Sequence, residues 1–469
     1  MTRIAIVGGG IAGLSIAHAL LQRGASEPGI DLVVLERAGR AGGNIRTDVI
    51  DGFVCEWGPN GFLDNVPATL DLVRDLGLQD RLQPSDERAR KRYIFRRGML
   101  HALPGGPLDF LKSGLLSWPG KVRIALEPAA RRRPAGDETI HAFATRRIGR
   151  EAADILIDPM VSGVFGGDAR RLSLKACFPK MWEIETEHGS LFRALLARSR
   201  RRRRRGEPVG SPLGRLTSFV GGSEDLIRAL VARLGASLRT GTEVRQVRAN
   251  GSRYDVEIEN APSFQADAVV LAAGASASAG LIRPLDAALA DTLDAIPTVP
   301  MVVVCLGYAE HKLPRPLDGF GFLVPRGEGP RLLGVLWDSS VYPGRAPKGC
   351  ALVRAMLGGA HDPDAIALED RTLLEITRHD LEKTMQVRLE PDFVRVFRHP
   401  IGIPQYTVGH IDRLARAESR LAAHPGLFLA GNAYRGVAIN ACVAEAPAIA
   451  ARVLAHALRR PGMLAQAGM

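Results

Sequence analysis

The sequence predicts an α/β protein (α+β overall) whose central parallel sheet is assembled from segments that lie far apart in the chain. Three observations support this fold class. An apolar strand at residues 3–7 runs straight into a glycine-rich turn and a helical pattern. A second apolar strand, residues 31–35, ends at an acidic residue. A third apolar strand, residues 427–430, leads through glycines into another helix near the other end of the chain.

Length and composition indicate a large globular protein. At about 150 residues per domain, 469 residues predict roughly three domains. Hydrophobic residues make up 46% and charged residues 24%, which excludes a disordered or collagen-like chain. The N-terminus lacks the architecture of a signal peptide, and no run of 18 or more uncharged apolar residues predicts a spanning helix. We therefore expect a cytoplasmic protein.

The cysteines point to a reducing compartment. The five residues Cys55, Cys177, Cys305, Cys350 and Cys442 lie far apart, are odd in number and include no CxxC pair. Neither a zinc ribbon nor an Fe–S cluster can be drawn from them, and no other group of metal ligands stands out. We expect no metal site.

The basic charge of the chain is concentrated in one place. Lysine and arginine number 62 and aspartate and glutamate 50, which gives a net charge of +12. Eight of the arginines lie in segment 193–205, and without them the net charge falls to +4. The unbroken run Arg200–Arg205 predicts a solvated loop, because like charges repel. Contact with an anionic membrane surface is the second interpretation. Nucleic-acid binding comes last, since no RNA- or DNA-binding motif accompanies the run.

The first glycine-rich turn carries a GxGxxG pattern between the first strand and the first helix. Such a turn brings its backbone and the positive end of the helix dipole close to a pyrophosphate. Glu36 follows the second strand at the spacing typical of the acid that accepts the hydroxyls of an adenosine ribose. Together they predict a Rossmann-like dinucleotide site. Its expected contacts are Gly8, Gly9, Gly10, Ile11, Ala12, Gly13 and Glu36.

The residues after the second strand identify the nucleotide. Segment 36–47 resembles the ERxxRxGGxxxT continuation of the amine-oxidase-like FAD superfamily. A Gly-Gly pair permits close approach of the backbone, and Arg40 and Arg46 can neutralise phosphate charge. The resemblance implies FAD as the cofactor. It implies contacts from Arg37, Arg40, Gly42, Gly43 and Asn44.

The C-terminal strand supplies a second glycine turn. It leads into an amphipathic helix, expected to reach about Leu458, with a kink or an early break at Pro447. A strand at 240–244 resembles the one that touches adenine through its backbone in this superfamily, and the strand 268–271 completes the sheet. Further FAD contacts are expected from Val244, Gly431, Asn432, Val437, Ala438 and Ile439.

Three more motifs occur in series. They are Trp57-Gly-Pro-Asn-Gly-Phe62, the glycine-rich segment 162–173 and Ile403-Pro-Gln-Tyr-Thr-Val-Gly-His410. In this order they resemble the oxygen-dependent protoporphyrinogen oxidase family, from the first strand to the last helix. The resemblance implies a flavoprotein oxidase of haem (tetrapyrrole) biosynthesis. Such an enzyme removes six electrons from protoporphyrinogen IX to give protoporphyrin IX and reduces three O₂ to three H₂O₂.

The resemblance also implies roles for single residues. Asn60 is expected to orient the substrate near the flavin ring, and Arg92 matches the arginine that pairs with a substrate propionate. Gly163 falls in the loop that lets the macrocycle approach closely. The remaining residues expected to line the flavin or the pocket wall are Gly58, Pro59, Gly61, Phe320, Leu323 and Tyr342.

Two features concern how the flavin is held. The family often has a tryptophan before its Ile-Pro-Gln-Tyr element, where this chain has His399. We expect His399 to contact the flavin, with tuning of the ring or simple space filling as alternatives. Cys442 falls on the predicted C-terminal helix rather than beside the ring, so we expect non-covalent FAD.

The order of the motifs predicts five segments. The FAD-binding domain is expected in three discontinuous parts, separated by an inserted helical membrane-binding region and an inserted substrate-binding sheet domain. The FAD-binding parts are 1–87, 207–275 and 395–469, the helical region is 88–206, and the sheet domain is 276–394.

Other functions stay open at this point. The same chemistry on coproporphyrinogen III, with two more propionates, is one alternative, and an amine oxidase or desaturase-like FAD enzyme is another. The expected partners are a porphyrinogen, O₂ and, peripherally, the surface of the inner (cell) membrane. A homodimer and a chelatase that receives the product complete the expected partners, and nucleic acid is not expected.

Overall fold

A five-stranded parallel sheet forms the centre of the nucleotide-binding half of the molecule. The computed structural model describes residues 2–25, 29–130, 136–194, 197 and 214–458, and it confirms the predicted α/β fold. In spatial order the strands are Leu238–Arg239, Ile30–Leu35, Thr2–Val7, Ala268–Leu271 and Leu427–Leu429, all paired in parallel.

The first strand is buried on both faces, which explains its uninterrupted apolar sequence. Because side chains alternate along a strand, Ile4 and Ile6 enter one hydrophobic cluster while Ala5 and Val7 enter another on the opposite face. Parallel strands covered on both sides typically carry such continuous apolar runs. The recognition of this strand from sequence is therefore confirmed.

Helices cover both faces of the parallel sheet. On the face of Ile4 they are Ile11–Leu20, Pro67–Asp75, Glu224–Leu234 and Ile439–Leu458. On the face of Ala5 they are Ala275–Ile282, Ala287–Asp294 and His410–Leu421. A three-stranded antiparallel sheet completes this second face, with strands Val244–Asn250, Arg253–Ile258 and Phe264–Ala266.

The last helix runs from Ile439 to Leu458 and continues through Pro447 instead of ending there. Nine of its 20 residues are buried, and the buried stripe packs into the core cluster of the parallel sheet. That packing outweighs the backbone hydrogen bond that proline removes. Among the described residues it is also the one helix long and apolar enough to cross a membrane, and 44% of its apolar window is buried.

A seven-stranded sheet forms the other half of the molecule. In spatial order its strands are Phe393–Pro404, Thr298–Ala309, Cys350–Gly358, Gly334–Leu336, Gly321–Leu323, Tyr93–Arg96 and Met99–Ala102. One face packs against the helix Asp370–Met385. The other face packs against the strand Phe53–Glu56 of a short hairpin whose first strand is Thr47–Ile50.

This sheet crosses two of the predicted segment boundaries. Tyr93–Arg96 and Met99–Ala102 come from the segment expected to be helical, and Phe393–Pro404 runs past residue 394. Tyr, Ile and Phe favour a strand, and Arg97 and Gly98 both have positive φ, as a two-residue hairpin turn requires. The α-helices of the described part of 88–206 therefore begin only at Pro107.

A layer of short helices covers the strand Tyr93–Arg96. Leu115 and Leu116, from the connection between two of these helices, pack against Ile94 of the strand. Its helices are Pro107–Lys112, Trp118–Ala125, Ile140–Ile148, Arg150–Ala152, Asp158–Phe165, Leu174–Cys177 and Pro179–His188. A small sheet of strands Phe62–Leu63, Leu216–Phe219 and Leu82–Pro84 and the helix Asp338–Val341 complete the described fold. The run Arg200–Arg205 lies outside the described residues.

Candidate active site

The GxGxxG turn has the shape that a pyrophosphate site needs. Gly8 has a φ of +115°, and a Cβ there would lie 2.8 Å from the backbone of Ala272. A Cβ at Gly13 would overlap the carbonyl oxygen of Gly8. A Cβ at Gly10, by contrast, would meet no atom within 4 Å. Two of the glycines therefore allow close packing, and the third faces open space at the N-terminus of the helix Ile11–Leu20, where an anion is favoured.

Glu36 lies at the carboxyl end of its strand and joins two loops. Its carboxylate accepts hydrogen bonds from the N–H groups of Gly9 (2.7 Å) and Ala38 (2.9 Å). Its backbone pairs with the next segment in space: the Glu36 N–H donates to the Arg239 carbonyl at 2.9 Å. A carboxylate offers about four acceptor positions, so capacity remains for ribose hydroxyls.

Val244, expected near adenine, is buried in the hydrophobic cluster on the Ala5 face of the parallel sheet.

Arg40 closes the loop that follows the second strand. Its guanidinium donates to the carbonyl oxygens of Gly43 (3.1 Å) and Ile45 (2.6 Å) and lies 3.6 Å from the carboxylate of Glu224. Arg40 therefore holds the backbone around the Gly42–Gly43 pair, and its positive charge can also neutralise a phosphate. The side chain of Arg37 is exposed.

The loop that carries Gly58, Asn60 and Gly61 packs on Asn44, in the loop that follows the second strand. A Cβ at Gly58 would overlap the carbonyl oxygen of Asn44. Gly61 has a φ of +152°, and a Cβ there would overlap the carbonyl oxygen of Thr217. The side chain of Asn44 donates to the carbonyl oxygen of Gly402 at 3.2 Å. Residues expected to line the flavin ring and residues expected to hold its pyrophosphate are thus in contact.

Four charged side chains are buried beneath this loop, and no sequence pattern marks any of them. Glu56, Asp338, Arg345 and Arg354 each expose 1–2% of their side chains. Arg345 lies 3.1 Å from Glu56, and Arg354 lies 3.1 Å from Asp338. Burial raises the pKa of both carboxyl groups, and the two arginines oppose that rise only in part.

Asn60 and Trp57 present buried polar atoms with unmet hydrogen-bonding capacity. Among the described residues, both polar side-chain atoms of Asn60 and the indole nitrogen of Trp57 are buried and reach no hydrogen-bond partner. Native proteins rarely leave such groups unpaired without a ligand or water. Together with the open cradle at Gly10, they fit a bound dinucleotide whose ring end lies at this loop.

His399 lies behind the Trp57 loop. Its Nε2 donates to the carbonyl oxygen of Trp57 at 2.8 Å, and the two rings meet edge to face. Burial lowers the pKa of His399, although the hydrogen bond to Trp57 opposes this, so the imidazole is neutral at pH 7. His399 therefore supports the loop that carries Asn60. Direct contact with the flavin stays a prediction.

The C-terminal glycine turn is held by a buried tyrosine. The hydroxyl of Tyr406 donates to the carbonyl oxygen of Asn432 (2.5 Å) and accepts a hydrogen bond from the N–H of Gly436 (2.7 Å). Tyr406 belongs to the Ile-Pro-Gln-Tyr motif, so the motif packs on the turn that follows Gly431 and leads to the helix starting at Ile439. Val437 and Ala438 lie between Gly436 and the start of this helix. This explains why two motifs distant in sequence belong to one site.

The predicted substrate residues lie where the helical layer meets the seven-stranded sheet. Arg92 lies over the ring of Phe320, 4.9 Å from its centroid. A Cβ at Gly163, on the helix Asp158–Phe165, would lie 2.6 Å from Leu323. Tyr342 is fully buried, with its hydroxyl close to Gly61. The elements that carry Arg92, Phe320, Leu323 and Gly163 are thus neighbours. Tyr342 lies deeper, behind the loop that carries Gly58 and Gly61.

Arg92 differs from the basic residues that precede it. Arg88, Arg90 and Lys91 each pair with an acid, as the contacts Arg88–Asp86, Arg90–Glu87 and Lys91–Asp318 show. Arg92 makes no ion pair within the described chain and instead stacks on an aromatic ring. An unpaired guanidinium beside an apolar wall is suited to a ligand carboxylate.

These features define a class of protein first: a flavin-dependent oxidoreductase with a Rossmann-like nucleotide domain and a separate sheet over the reaction site. The family profile described as flavin containing amine oxidoreductase matches residues 11–454. The chain belongs to the flavin-containing amine oxidoreductase family, and its cofactor is a flavin.

Individual relatives agree with the resemblance inferred from the motifs. A chloroplastic protoporphyrinogen oxidase of Nicotiana tabacum is 35% identical over 96% of this chain and 84% of its own length. A coproporphyrinogen III oxidase of Bacillus subtilis is 30% identical over 97% of this chain and 98% of its own length. The crystal structure of an Exiguobacterium sp. 255-15 protein superposes with a TM-score of 0.83 at 28% identity, covering 96% of this chain and 98% of the other. The resemblance to the protoporphyrinogen oxidase family is confirmed.

Proposed function

We propose that the protein is an FAD-dependent oxidase that converts protoporphyrinogen IX into protoporphyrin IX in haem biosynthesis, with reduction of three O₂ to three H₂O₂. The observation that carries the proposal is the unpaired Arg92 on Phe320, beside the apolar contact of Gly163 with Leu323. A porphyrinogen is a large apolar ring whose strong charges are its carboxylates. An arginine next to an apolar wall matches both properties.

The chain's own residues act mainly by positioning. Bound FAD supplies the acceptor for two electrons at a time and passes them to O₂. Arg92 holds a propionate and so fixes the rotation of the ring in its pocket. The close contact of Gly163 with Leu323 shapes the apolar wall for the macrocycle, and Asn60 orients the bridge carbon that reacts. The protein then needs no metal, nucleophile or paired carboxylate of its own, because each bridge lies between electron-rich pyrroles.

We infer that FAD is bound without a covalent link. The support is the position of Cys442 on the C-terminal helix, where it is 5% exposed. Burial raises the pKa of this thiol to about 12, so that it stays protonated and a poor nucleophile. Denaturing the purified protein should release a yellow supernatant, and colour retained in the precipitate would contradict the proposal.

We also propose that the helical layer docks on the surface of the cell membrane from the cytoplasm. Trp118, Val122 and Leu126 form an exposed stripe at i, i+4 and i+8, with 66%, 55% and 54% exposure, and Leu108 and Leu111 extend it with 73% and 46%. Apolar stripes of this kind, edged by basic residues, insert into the interface without spanning the bilayer. A homodimer and transfer of the product to a chelatase stay predictions of the resemblance.

Aerobic incubation with each porphyrinogen tests the function. Protoporphyrinogen IX should give porphyrin fluorescence with three H₂O₂ per porphyrin formed. Coproporphyrinogen III, the substrate named for the Bacillus relative, is the second candidate. We expect protoporphyrinogen, the substrate with two fewer propionates, to have the higher kcat/KM. A higher value for coproporphyrinogen would reverse the assignment, and no fluorescence from either substrate would overturn it.

A further inference from the structure

The buried charge cluster of Glu56, Asp338, Arg345 and Arg354 lies at the base of the loop that carries Asn60. Its two arginines and two carboxylates form two pairs, Arg345 with Glu56 and Arg354 with Asp338, each at 3.1 Å. With two arginines and two carboxylates, the cluster holds equal numbers of basic and acidic groups. Solvent does not reach them, because each side chain is at most 2% exposed.

Arg354 connects this cluster to the backbone of the loop. Its Nη1 donates to the carbonyl oxygens of Glu56 (3.2 Å) and Gly58 (2.9 Å), while its Nε faces Asp338. Arg354 lies in the interior strand Cys350–Gly358, which is paired on both sides. Two carbonyl oxygens of the loop are therefore tied to a rigid strand of the seven-stranded sheet.

Asp338 begins the short helix Asp338–Val341 and lies 3.1 Å from Nε of Arg354. Burial raises the pKa of its carboxyl, while Arg354, Arg345 and the amide of Asn60 lower it. The guanidinium of Arg354 therefore meets Asp338 on one nitrogen and the carbonyl oxygens of the loop on another.

Burial of ion pairs does not by itself assign a role, because a buried pair is often no more stable than apolar side chains of the same volume. The helical layer offers a comparison: Arg147 is 1% exposed, pairs with Glu127 and Glu185 and donates to the carbonyl oxygen of Gly189. These contacts of Arg147 tie the helical layer together, whereas those of Arg354 reach the loop that carries Asn60.

We propose that Arg354 and Asp338 are positioning residues for the flavin and the substrate. Arg354 holds the carbonyl oxygens of Glu56 and Gly58, and Asp338 holds the guanidinium of Arg354 in place. The inference rests on the proposed function and deepens it. Neither residue touches the reacting atoms; both act through the loop.

The first experiment compares Arg354→Met and Arg354→Lys with the matched control Arg147→Met. For each variant the melting temperature, the Kd for FAD, the absorption spectrum of the flavin, kcat and KM are measured. Arg354→Met should weaken FAD binding and lower kcat by about tenfold or more, because the carbonyls of the loop lose a charged donor. Arg354→Lys should restore part of the loss. Arg147→Met should lower the melting temperature and leave the flavin spectrum and kcat unchanged.

The second experiment asks whether Asp338 acts through Arg354. Asp338→Asn keeps the size of the side chain and removes its charge. It should lower kcat by about tenfold in the parent protein and by less than about twofold in the Arg354→Met background, since the guanidinium that it positions is then absent. Equal losses in both backgrounds would show that Asp338 does not act through Arg354.

The proposal is overturned if flavin-replete Arg354→Met keeps its spectrum and kcat and loses only stability, as the control does. If Arg354→Met does not fold, Arg354→Lys and Asp338→Asn decide by the same readouts. Failure of the proposed function is recognised separately, since the parent protein would then oxidise neither porphyrinogen. The Kd for FAD and the flavin spectrum of the variants would still decide the role of Arg354.

Discussion

Glu36→Gln probes the nucleotide site with almost no change of shape. The carboxylate accepts two backbone hydrogen bonds, from Gly9 at 2.7 Å and Ala38 at 2.9 Å. A neutral amide offers one oxygen and one NH₂ group, so one of these N–H groups loses its acceptor and meets a donor. The amide also weakens the expected hydrogen bond from a ribose hydroxyl, and a hydrogen bond to a charged group contributes about 1.5–3 kcal/mol. At about 1.4 kcal/mol per factor of ten, the Kd for FAD should rise by roughly 10- to 100-fold.

The assay is a titration of the apoprotein with FAD, followed by quenching of flavin fluorescence. Glu36→Ala should bind FAD more weakly than Glu36→Gln, because it also removes every acceptor for the ribose hydroxyls. Glu183→Gln, on an exposed position of the helix Pro179–His188, is the matched control and should leave the Kd unchanged. The reasoning is refuted if Glu36→Gln binds FAD within about twofold of the parent. A lower melting temperature with an unchanged Kd would make Glu36 a structural residue only.

Three further predictions concern the substrate, the membrane and the pH dependence of stability. Arg92→Ala should raise KM by about 10-fold or more with normal flavin absorbance. Arg92→Lys should recover only part of the lost affinity for substrate, because lysine restores the charge without the bidentate fork. A kcat/KM of Arg92→Ala within about twofold of the parent would show that Arg92 is not in the substrate site. Replacing Trp118 and Val122 together with serine should lower sedimentation with anionic vesicles while activity on detergent-dispersed substrate persists; unchanged sedimentation would move the docking surface elsewhere. Burial alone would raise the pKa of Asp286, but hydrogen bonds from Arg420, the Leu289 N–H and His424 lower it to about 2. The stabilisation by the Asp286 carboxylate is therefore present above the usual carboxyl pKa and lost as pH falls towards 2. Asp286→Asn should make the melting temperature less dependent on pH on the acid side. An unchanged dependence on pH would show that Asp286 does not stabilise the fold in this way.

Much of the nucleotide-binding half could be predicted because its signals are local. The strand at 3–7, the GxGxxG turn and Glu36 occupy adjacent positions in the chain, and each depends on the conformation of only a few residues. The strands 31–35, 268–271 and 427–430 of the parallel sheet could be recognised from their apolar sequences in the same way. The predicted strand at 240–244 was wrong, since the strands there are Leu238–Arg239 and Val244–Asn250. Motifs were enough to predict Arg92 and Asn60 as site residues. The tertiary structure added that Arg92, unlike the basic residues Arg88, Arg90 and Lys91 before it, has no acidic partner among the described residues.

The fold class, the family and the position of the dinucleotide turn follow from the sequence alone, since short-range geometry and glycine chemistry suffice for them. Placing residues 93–102 in the seven-stranded sheet required the tertiary structure, because an apolar run as short as residues 93–95 is compatible with strand or helix until a partner strand is present. Only the tertiary structure revealed the charge cluster around Arg354. Glu56 and Arg354 lie nearly three hundred residues apart, and burial of a charged side chain depends on how strands pair and pack, which no local pattern records.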